Sequence, residues 1–224
     1  GGQPGAPAAG PVVVQSRMWF NEASESRHFR VPGLIVLVMT LIGAFLTALV
    51  VAREWERGTF EALFVTPVRP HEILIGKTAP YFVLGMAGFA LCLLTARFLF
   101  HVPLRGSLLI LTGGSMLYLL AALGIGLVIS ATVKNQFVAS QLAAVASFLP
   151  AMMLSGFLFD IRSMPAVLQM FTLILPARYY VSFVQTLFLA GNVPSIIATS
   201  TLVLAAMAAA LFFAAQAKMR KKLD

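Results

Sequence analysis

Charge is scarce in this sequence, and its scarcity argues against a soluble domain. Only 11% of the 224 residues are charged, whereas soluble domains carry roughly 25% charged residues. Hydrophobic residues make up 59% and fall into long runs separated by short polar segments. Because helices satisfy their own backbone hydrogen bonds inside lipid, this composition predicts an all-α polytopic membrane protein.

Cysteine is nearly absent as well. The single Cys92 excludes an intrachain disulfide or a thiolate metal cluster. The three histidines fall in predicted loops on both sides of the membrane, so we predict no metal site. The net charge of +8 is interrupted by apolar runs, which leaves no continuous basic face for nucleic acid. A positive excess on one side of a membrane explains this charge better.

Aspartate and glutamate are missing from the long apolar runs. A proton-driven transporter usually needs an intramembrane carboxylate for its relay, so this absence favours energy supplied from outside the membrane. Arg97 is the one charge within a predicted span. We expect its side chain to snorkel to the interface, and a substrate role is the less favoured alternative.

The early glycine of a nucleotide-binding P-loop is also missing. HEILIGKT, residues 71–78, ends like the motif G-x-x-x-x-G-K-[ST], but His71 stands where the first glycine belongs. Lys77 and Thr78 lie where a helix is expected to enter the bilayer, so Lys77 is interpreted as an interface anchor. We therefore expect the chain to bind no ATP and no other cofactor.

Five apolar runs are long enough to cross a bilayer, which takes about 20 residues. The predicted spans are residues 31–52, 78–100, 108–132, 137–159 and 194–217. Pro32 is expected in the first turn of the first span. The region 160–190 is apolar but interrupted by Pro165 and Pro176, and it is predicted to form external re-entrant or interfacial helices. Gly113, Gly114, Gly124 and Gly126 are interpreted as close-packing positions between helices.

The segments outside the spans set the domains and the orientation. Residues 1–30 are interpreted as a linker and the tail of an extracytoplasmic domain missing from this chain, residues 31–217 as the membrane domain, and residues 218–224 as a cytoplasmic tail. The Lys-rich ending KMRKKLD places the tail, loop 53–77 and loop 133–136 in the cytoplasm. The N-terminal end then lies outside, which leads us to expect one further span upstream.

Loop 53–77 is predicted to hold a short helix. Gly58 is expected to end the preceding helix in the left-handed conformation, and Pro70 to begin the next one. Between them lie a cap, an early acidic residue and a helix stop: Thr59, Glu61 and Pro67. One face of the short helix is apolar and consists of Phe60, Leu63 and Phe64. Residues alone leave two interpretations open, a helix lying on lipid headgroups and a docking knob for a soluble partner.

Two stretches carry a family resemblance. AREWERGTFEALFVTP fits the pattern A-R-E-x-E-x-G-T-x-E-x-L-x-x-[ST]-P, and LPAMMLSGFLFDIRSMPAVLQMFTLILPARYYV follows later. From Arg17 to Asp224 the chain resembles the C-terminal two thirds of the permease subunit of bacterial type 2 ATP-binding-cassette (ABC) exporters, in the drug-efflux-like branch. One departure is Glu22, where many relatives have proline.

The resemblance implies six spans in the full chain and a large extracytoplasmic domain after the first of them. It also implies that loop 53–77 is the coupling helix that docks on a separate ATPase subunit, which holds the ATP and magnesium. The coupling role then falls on Glu54, Arg57, Gly58, Thr59, Glu61, Leu63 and Pro67, together with the apolar face formed by Phe60, Leu63 and Phe64.

The function that follows is export of an amphiphilic or drug-like substrate across the bacterial inner membrane. The expected partners are the ATPase, a second permease that is identical or related, membrane lipids and, for drug-like efflux, a periplasmic adaptor protein. Phe45, Phe148 and Met152 are the candidates for the substrate path. Export of a lipid-linked glycan and a simple membrane anchor for the missing domain are the alternatives. A membrane-embedded enzyme lacks any catalytic pairing.

Overall fold

The part of the chain that the structure describes is mainly α-helical. The computed structural model describes residues 22–58 and 70–220, and neither stretch contains a strand. We label the helices α1 to α7 in chain order. Helix α1 comprises Glu22–Thr40, a π-helical turn at Leu41–Leu46, and Thr47–Glu56. Helix α4 likewise comprises Gln136–Ala143, a π-helical turn at Ala144–Phe148, and Leu149–Met153. The other helices are α2 (Pro70–Phe98), α3 (Leu108–Val133), α5 (Ala166–Thr172), α6 (Pro176–Leu189) and α7 (Pro194–Arg220).

Five of these helices contain a segment long and apolar enough to cross a membrane. The segments are Val31–Glu56, Leu74–Phe98, Leu108–Val133, Gln136–Met153 and Pro194–Lys218. They follow the same order as the five predicted spans. The prediction of an all-α polytopic membrane protein is therefore confirmed for the described residues.

Two helix ends differ from the sequence-based expectation. Helix α1 begins at Glu22, so Pro32 lies inside the helix and not in its first turn. Residues 22–30 include several good helix formers, and a proline costs a helix its local hydrogen bond without always ending it. Helix α4 ends at Met153, before the expected end at Phe159. The backbone of Gly156 has φ +89° there, a left-handed conformation that breaks the helix.

Helices α5 and α6 form a bent pair between α4 and α7. Their axes meet at 83°, and each is too short to be a span by itself. Pro165 caps α5 and Pro176 occupies the first turn of α6, where the fixed φ of proline favours helix initiation. The prolines therefore divide this region where the sequence predicted. Helix α6 packs against α1, α3 and α7, whereas α5 exposes most of its apolar side chains.

Helix α3 lies at the centre of the bundle. In its most apolar 18 residues, 61% of the residues are buried, compared with 17% in the corresponding stretches of α2 and α7. Small residues let its neighbours approach closely. A Cβ added at Gly126 would lie 2.6 Å from the carbonyl oxygen of Ala44, and one at Gly124 would lie 2.8 Å from Cβ of Leu211. Gly114 faces Phe183 in the same way, whereas nothing lies within 4 Å of such an atom at Gly113. Close packing is thus confirmed at three of the four predicted glycines.

A buried polar cluster joins α1, α3 and α6. Tyr118 and Tyr180 stack with ring centroids 4.1 Å apart. The Tyr118 hydroxyl lies 2.5 Å from Oγ1 of Thr40, and the Tyr180 hydroxyl lies 2.7 Å from Oγ of Ser115. Because buried hydroxyls are costly without partners, these contacts fix the position of α6 against the two spans.

Candidate functional site

One end of the bundle gathers three regions that the sequence assigns to the same side of the membrane. The Glu56 carboxylate accepts hydrogen bonds from the Asn135 side chain (3.2 Å) and the Gln136 backbone (3.3 Å). Lys218 donates to Oγ1 of Thr132 at 2.5 Å. Loop 53–77, loop 133–136 and the C-terminal segment therefore meet at this end, which we call the basic end. It carries Arg53, Arg57, Lys77, Lys134 and Lys218.

Local chemistry explains how the chain leaves and re-enters the helices at the basic end. Helix α1 ends at Glu56, and Gly58 adopts φ +72°, the left-handed conformation that glycine accepts without strain. Helix α2 begins at Pro70. Both predictions are confirmed, so the predicted coupling loop begins after a left-handed glycine and ends at a proline that starts α2.

The described residues cover part of the predicted coupling site. Glu54 and Arg57 lie on the last turns of α1, and Gly58 follows them. The other predicted coupling residues lie outside the described residues: Thr59, Phe60, Glu61, Leu63, Phe64 and Pro67. Their roles remain predictions.

An ion pair joins the two helices that flank the coupling loop. The Lys77 amine lies 2.7 Å from Oε1 of Glu54, and both side chains are about three-quarters buried, with 25% and 24% of their surfaces exposed. The second carboxylate oxygen of Glu54 is buried and has no hydrogen-bond partner. Partial burial protects such a pair from screening by salt. The sequence predicts Lys77 as an anchor at the membrane interface and gives no signal of its pairing with Glu54.

The segment HEILIGKT is a continuous part of α2. Its residues follow Pro70 in the helix, and the Thr78 hydroxyl donates back to the Leu74 carbonyl at 2.7 Å. In a P-loop, the backbone N–H groups ahead of the lysine turn inward to cradle phosphates. Here the segment is α-helical, so it lacks the loop that forms such a cradle.

The three substrate-path candidates lie on α1 and α4. Phe45 belongs to the π-helical turn of α1 and packs against a small cluster that includes Ala48, Ala139 and Ala143. Phe148 ends the π-helical turn of α4, and Met152 follows one turn later. The two π-helical turns contact each other, and all three side chains are half-buried. Such turns are frequent at functional positions, and the substrate path stays a prediction.

The opposite end of the bundle, called here the far end, is held together by the loop between α2 and α3. The backbone N–H of Gly106 donates to the Leu187 carbonyl at 2.8 Å, and that of Ser107 donates to Oδ1 of Asn192 at 2.9 Å. The Arg105 guanidinium donates to the Leu189 carbonyl at 3.1 Å. Helix α6 is therefore anchored at its C-terminal end beside the start of α3.

The two ends give a direct test of orientation. With Cys92 replaced by serine, Ser163→Cys at the far end should react with a membrane-impermeant thiol reagent added to intact cells. Lys134→Cys at the basic end should react only after the membrane is opened. Both positions are exposed, so a difference in labelling reports the side of the membrane. The reverse labelling pattern would overturn the orientation.

Comparisons with known proteins agree with this architecture. The model of the family described as "ABC-2 family transporter protein" matches residues 4–216. The chain is 52% identical over 213 residues to the "Probable multidrug ABC transporter permease YbhS" of Escherichia coli strain K12, covering 95% of this chain and 56% of that protein. It is 30% identical over 221 residues to the "Probable multidrug ABC transporter permease YbhR" of the same organism, covering 97% and 59%.

A third relative is the "Inner membrane transport permease YhhJ" of Escherichia coli strain K12, 31% identical over 212 residues, which cover 94% of this chain and 56% of that protein. No solved structure matches. The chain thus spans between half and two thirds of the length of these relatives. With a helical bundle that supplies five candidate spans and a family match over nearly its whole length, the chain belongs to the ABC-2 family of transporter proteins.

Proposed function

We propose that this chain is the membrane-spanning permease part of an ABC exporter that moves an amphiphilic or drug-like substrate out of the cytoplasm or the inner leaflet. A separate ATPase subunit supplies the energy, and ATP and magnesium bind to that subunit. The family and the names of the relatives support the transport class. The proposed coupling to the ATPase rests on the loop between α1 and α2, whose two ends, Gly58 and Pro70, lie at the basic end.

The flanking ion pair suits this loop to transmit force. A partner that pulls on the loop pulls on the last turns of α1 and the first turns of α2 together, because Glu54 and Lys77 join them. Helix α1 in turn packs against α3 at Gly126, where the backbone of α1 comes close to the backbone of α3. A displacement at the basic end therefore moves the centre of the bundle, since packed helices shift as rigid bodies.

The bundle also has surface available for a second permease. In the apolar stretches of α2 and α7, only 17% of the residues are buried within one chain. Their remaining faces meet lipid or another subunit, and a pair of permeases would enclose a central path between them. Phe45, Phe148 and Met152 would line that path with apolar and polarisable surface, which suits amphiphilic substrates.

ATP-dependent efflux from proteoliposomes tests this function. The full-length permease reconstituted with its ATPase should move a fluorescent amphiphile only when ATP and magnesium are both present. The permease alone should neither bind nor hydrolyse ATP, because HEILIGKT is helical. Equilibrium nucleotide binding and dye efflux are the measurements.

The Lys77→Ala variant separates the outcomes. Nucleotide binding by the complete complex should be unchanged in this variant, because Lys77 pairs with Glu54. Saturable ATP binding by the isolated permease, lost in Lys77→Ala, would contradict the proposed division of labour. Efflux driven by an ion gradient without the ATPase would contradict the exporter class.

A further inference from the structure

A polar cavity lies toward the far end of the bundle. Its volume is about 660 Å³. One wall is α6, which contributes Arg178 and Gln185, and the other is the segment that follows α4, which contributes Ser155, Asp160 and Arg162. The residues that line the cavity include none of the described coupling residues and none of the substrate-path candidates.

The cavity reaches into the bundle from the far end. Leu187 lies beside Gly106 at the start of α3, and Tyr180 lies beside Ser115 further along the same helix. Helix α6 thus runs antiparallel to α3. Because a helix rises 1.5 Å per residue, Arg178 lies about 13 Å further from the far end than Leu187 does. A guanidinium at this depth is costly in a membrane and is a default candidate for a functional site.

Two polar side-chain atoms along the cavity lack a hydrogen-bond partner within the chain. Nε2 of Gln185 is buried without a hydrogen-bond partner, and so is Oγ of Ser155, a residue only 2% exposed. Arg178 donates to Oγ1 of Thr172 and to the Gln169 carbonyl, both neutral. An amide nitrogen and a guanidinium donate but cannot accept. The missing partner is therefore an acceptor.

The charge balance of the cavity favours an anion. Two guanidinium groups, Arg162 and Arg178, face one carboxylate, Asp160, whose Oδ1 already accepts from the Arg162 backbone N–H. Among the residues whose side chains the structure describes, which are 31–58, 72 and 74–218, neither arginine forms an ion pair with a carboxylate. A ligand with a phosphate or carboxylate group would supply the negative charge and the acceptor oxygens together.

The surroundings favour an amphiphilic carrier of that group. Helix α5, next to the cavity, exposes Val167, Met170 and Phe171 by 59–71%. Acyl chains lying against this surface would leave an acidic headgroup beside the cavity. We propose that the cavity binds the anionic headgroup of an amphiphile such as an acidic phospholipid, with Arg178 as the main charge partner and with Gln185 and Ser155 as donors. This inference concerns binding and holds whether or not the chain exports that molecule.

Lipid retention by the full-length permease in detergent tests the proposal. The protein is equilibrated with equal amounts of phosphatidylglycerol and phosphatidylcholine that have identical acyl chains, and bound lipid is counted by native mass spectrometry. Wild type should retain phosphatidylglycerol preferentially. Arg178→Gln should reduce that preference about tenfold or more, the usual effect of removing a charged hydrogen-bond donor.

Two further variants protect the test from folding artefacts. Arg105→Gln, at the same end of the bundle but outside the cavity, should keep the preference of the wild type. Gln185→Glu leaves Arg178 in place and adds a negative charge, so it should also lose phosphatidylglycerol while the protein stays monodisperse. Unchanged preference in both Arg178→Gln and Gln185→Glu would overturn the proposal. If water-soluble glycerol phosphate displaced bound phosphatidylglycerol as well as the lipid itself does, the site would bind free anions, and the proposal of an amphiphilic ligand would be overturned.

Discussion

Replacing Phe64 by alanine is expected to reduce the affinity of the ATPase subunit for the permease about thirtyfold. An aromatic side chain truncated in a well-packed interface commonly costs more than about 2 kcal/mol, which corresponds to this factor. Phe64 lies on the apolar face that sequence spacing gives to the short helix of the coupling loop. The two described ends of that loop lie together at the basic end, because Glu54 of α1 pairs with Lys77 of α2.

Co-purification and substrate-stimulated ATP turnover, at matched membrane levels, measure this effect. Expression and insertion should change little, because Phe64 is predicted to lie between the two candidate spans that end at Glu56 and begin at Leu74. Arg105→Ala at the far end is the control and should behave like wild type. If the short helix only rests on lipid headgroups, Phe64→Ala will leave ATPase recovery intact. That result would exclude the loop as the docking site and remove the coupling mechanism.

Local sequence chemistry was enough to predict the five candidate spans and several of their boundaries. Long uncharged runs predict spans because unsatisfied polar groups are costly in lipid. Gly58 and Pro70 predict the ends of the coupling loop because each residue has one strong backbone preference. Pro165 and Pro176 predict the division of the bent pair for the same reason. These features depend on neighbours in sequence, so no tertiary information was required.

Contacts between distant residues were not predictable in this way. Glu54 and Lys77 pair only because α1 and α2 pack with a particular register. The spacing of residues along one helix does not indicate this register. The stacking of Tyr118 on Tyr180 likewise requires α6 to turn back beside α3. The π-helical turns at Leu41–Leu46 and Ala144–Phe148 have no glycine or proline signature that marks their start. The unpartnered donors of the far-end cavity became visible only with the fold.

Helices α1 and α3 pack closely at Gly126, so a larger residue there should have a large effect on stability. At Gly126 the nearest atoms to an added Cβ are the backbone oxygen of Ala44, at 2.6 Å, and the backbone nitrogen of Ala48, at 3.0 Å. Backbone atoms cannot rotate away as a flexible side chain can. The first of them belongs to the π-helical turn of α1. A methyl group at this position must therefore push the two helices apart.

Gly126→Ala is accordingly expected to destabilise the bundle, by about 1–3 kcal/mol as for other overpacked cores. In detergent this should appear as a clear fall in the thermal unfolding midpoint of the full-length protein. Gly113→Ala is the matched control, since it makes the same change on the same helix where nothing lies within 4 Å. It should be neutral or slightly stabilising, because alanine favours helix over glycine by up to about 1 kcal/mol. Equal midpoints for the two variants would show that α1 and α3 do not meet at Gly126, and the route proposed for transmitting force from the coupling loop to α3 would then fail.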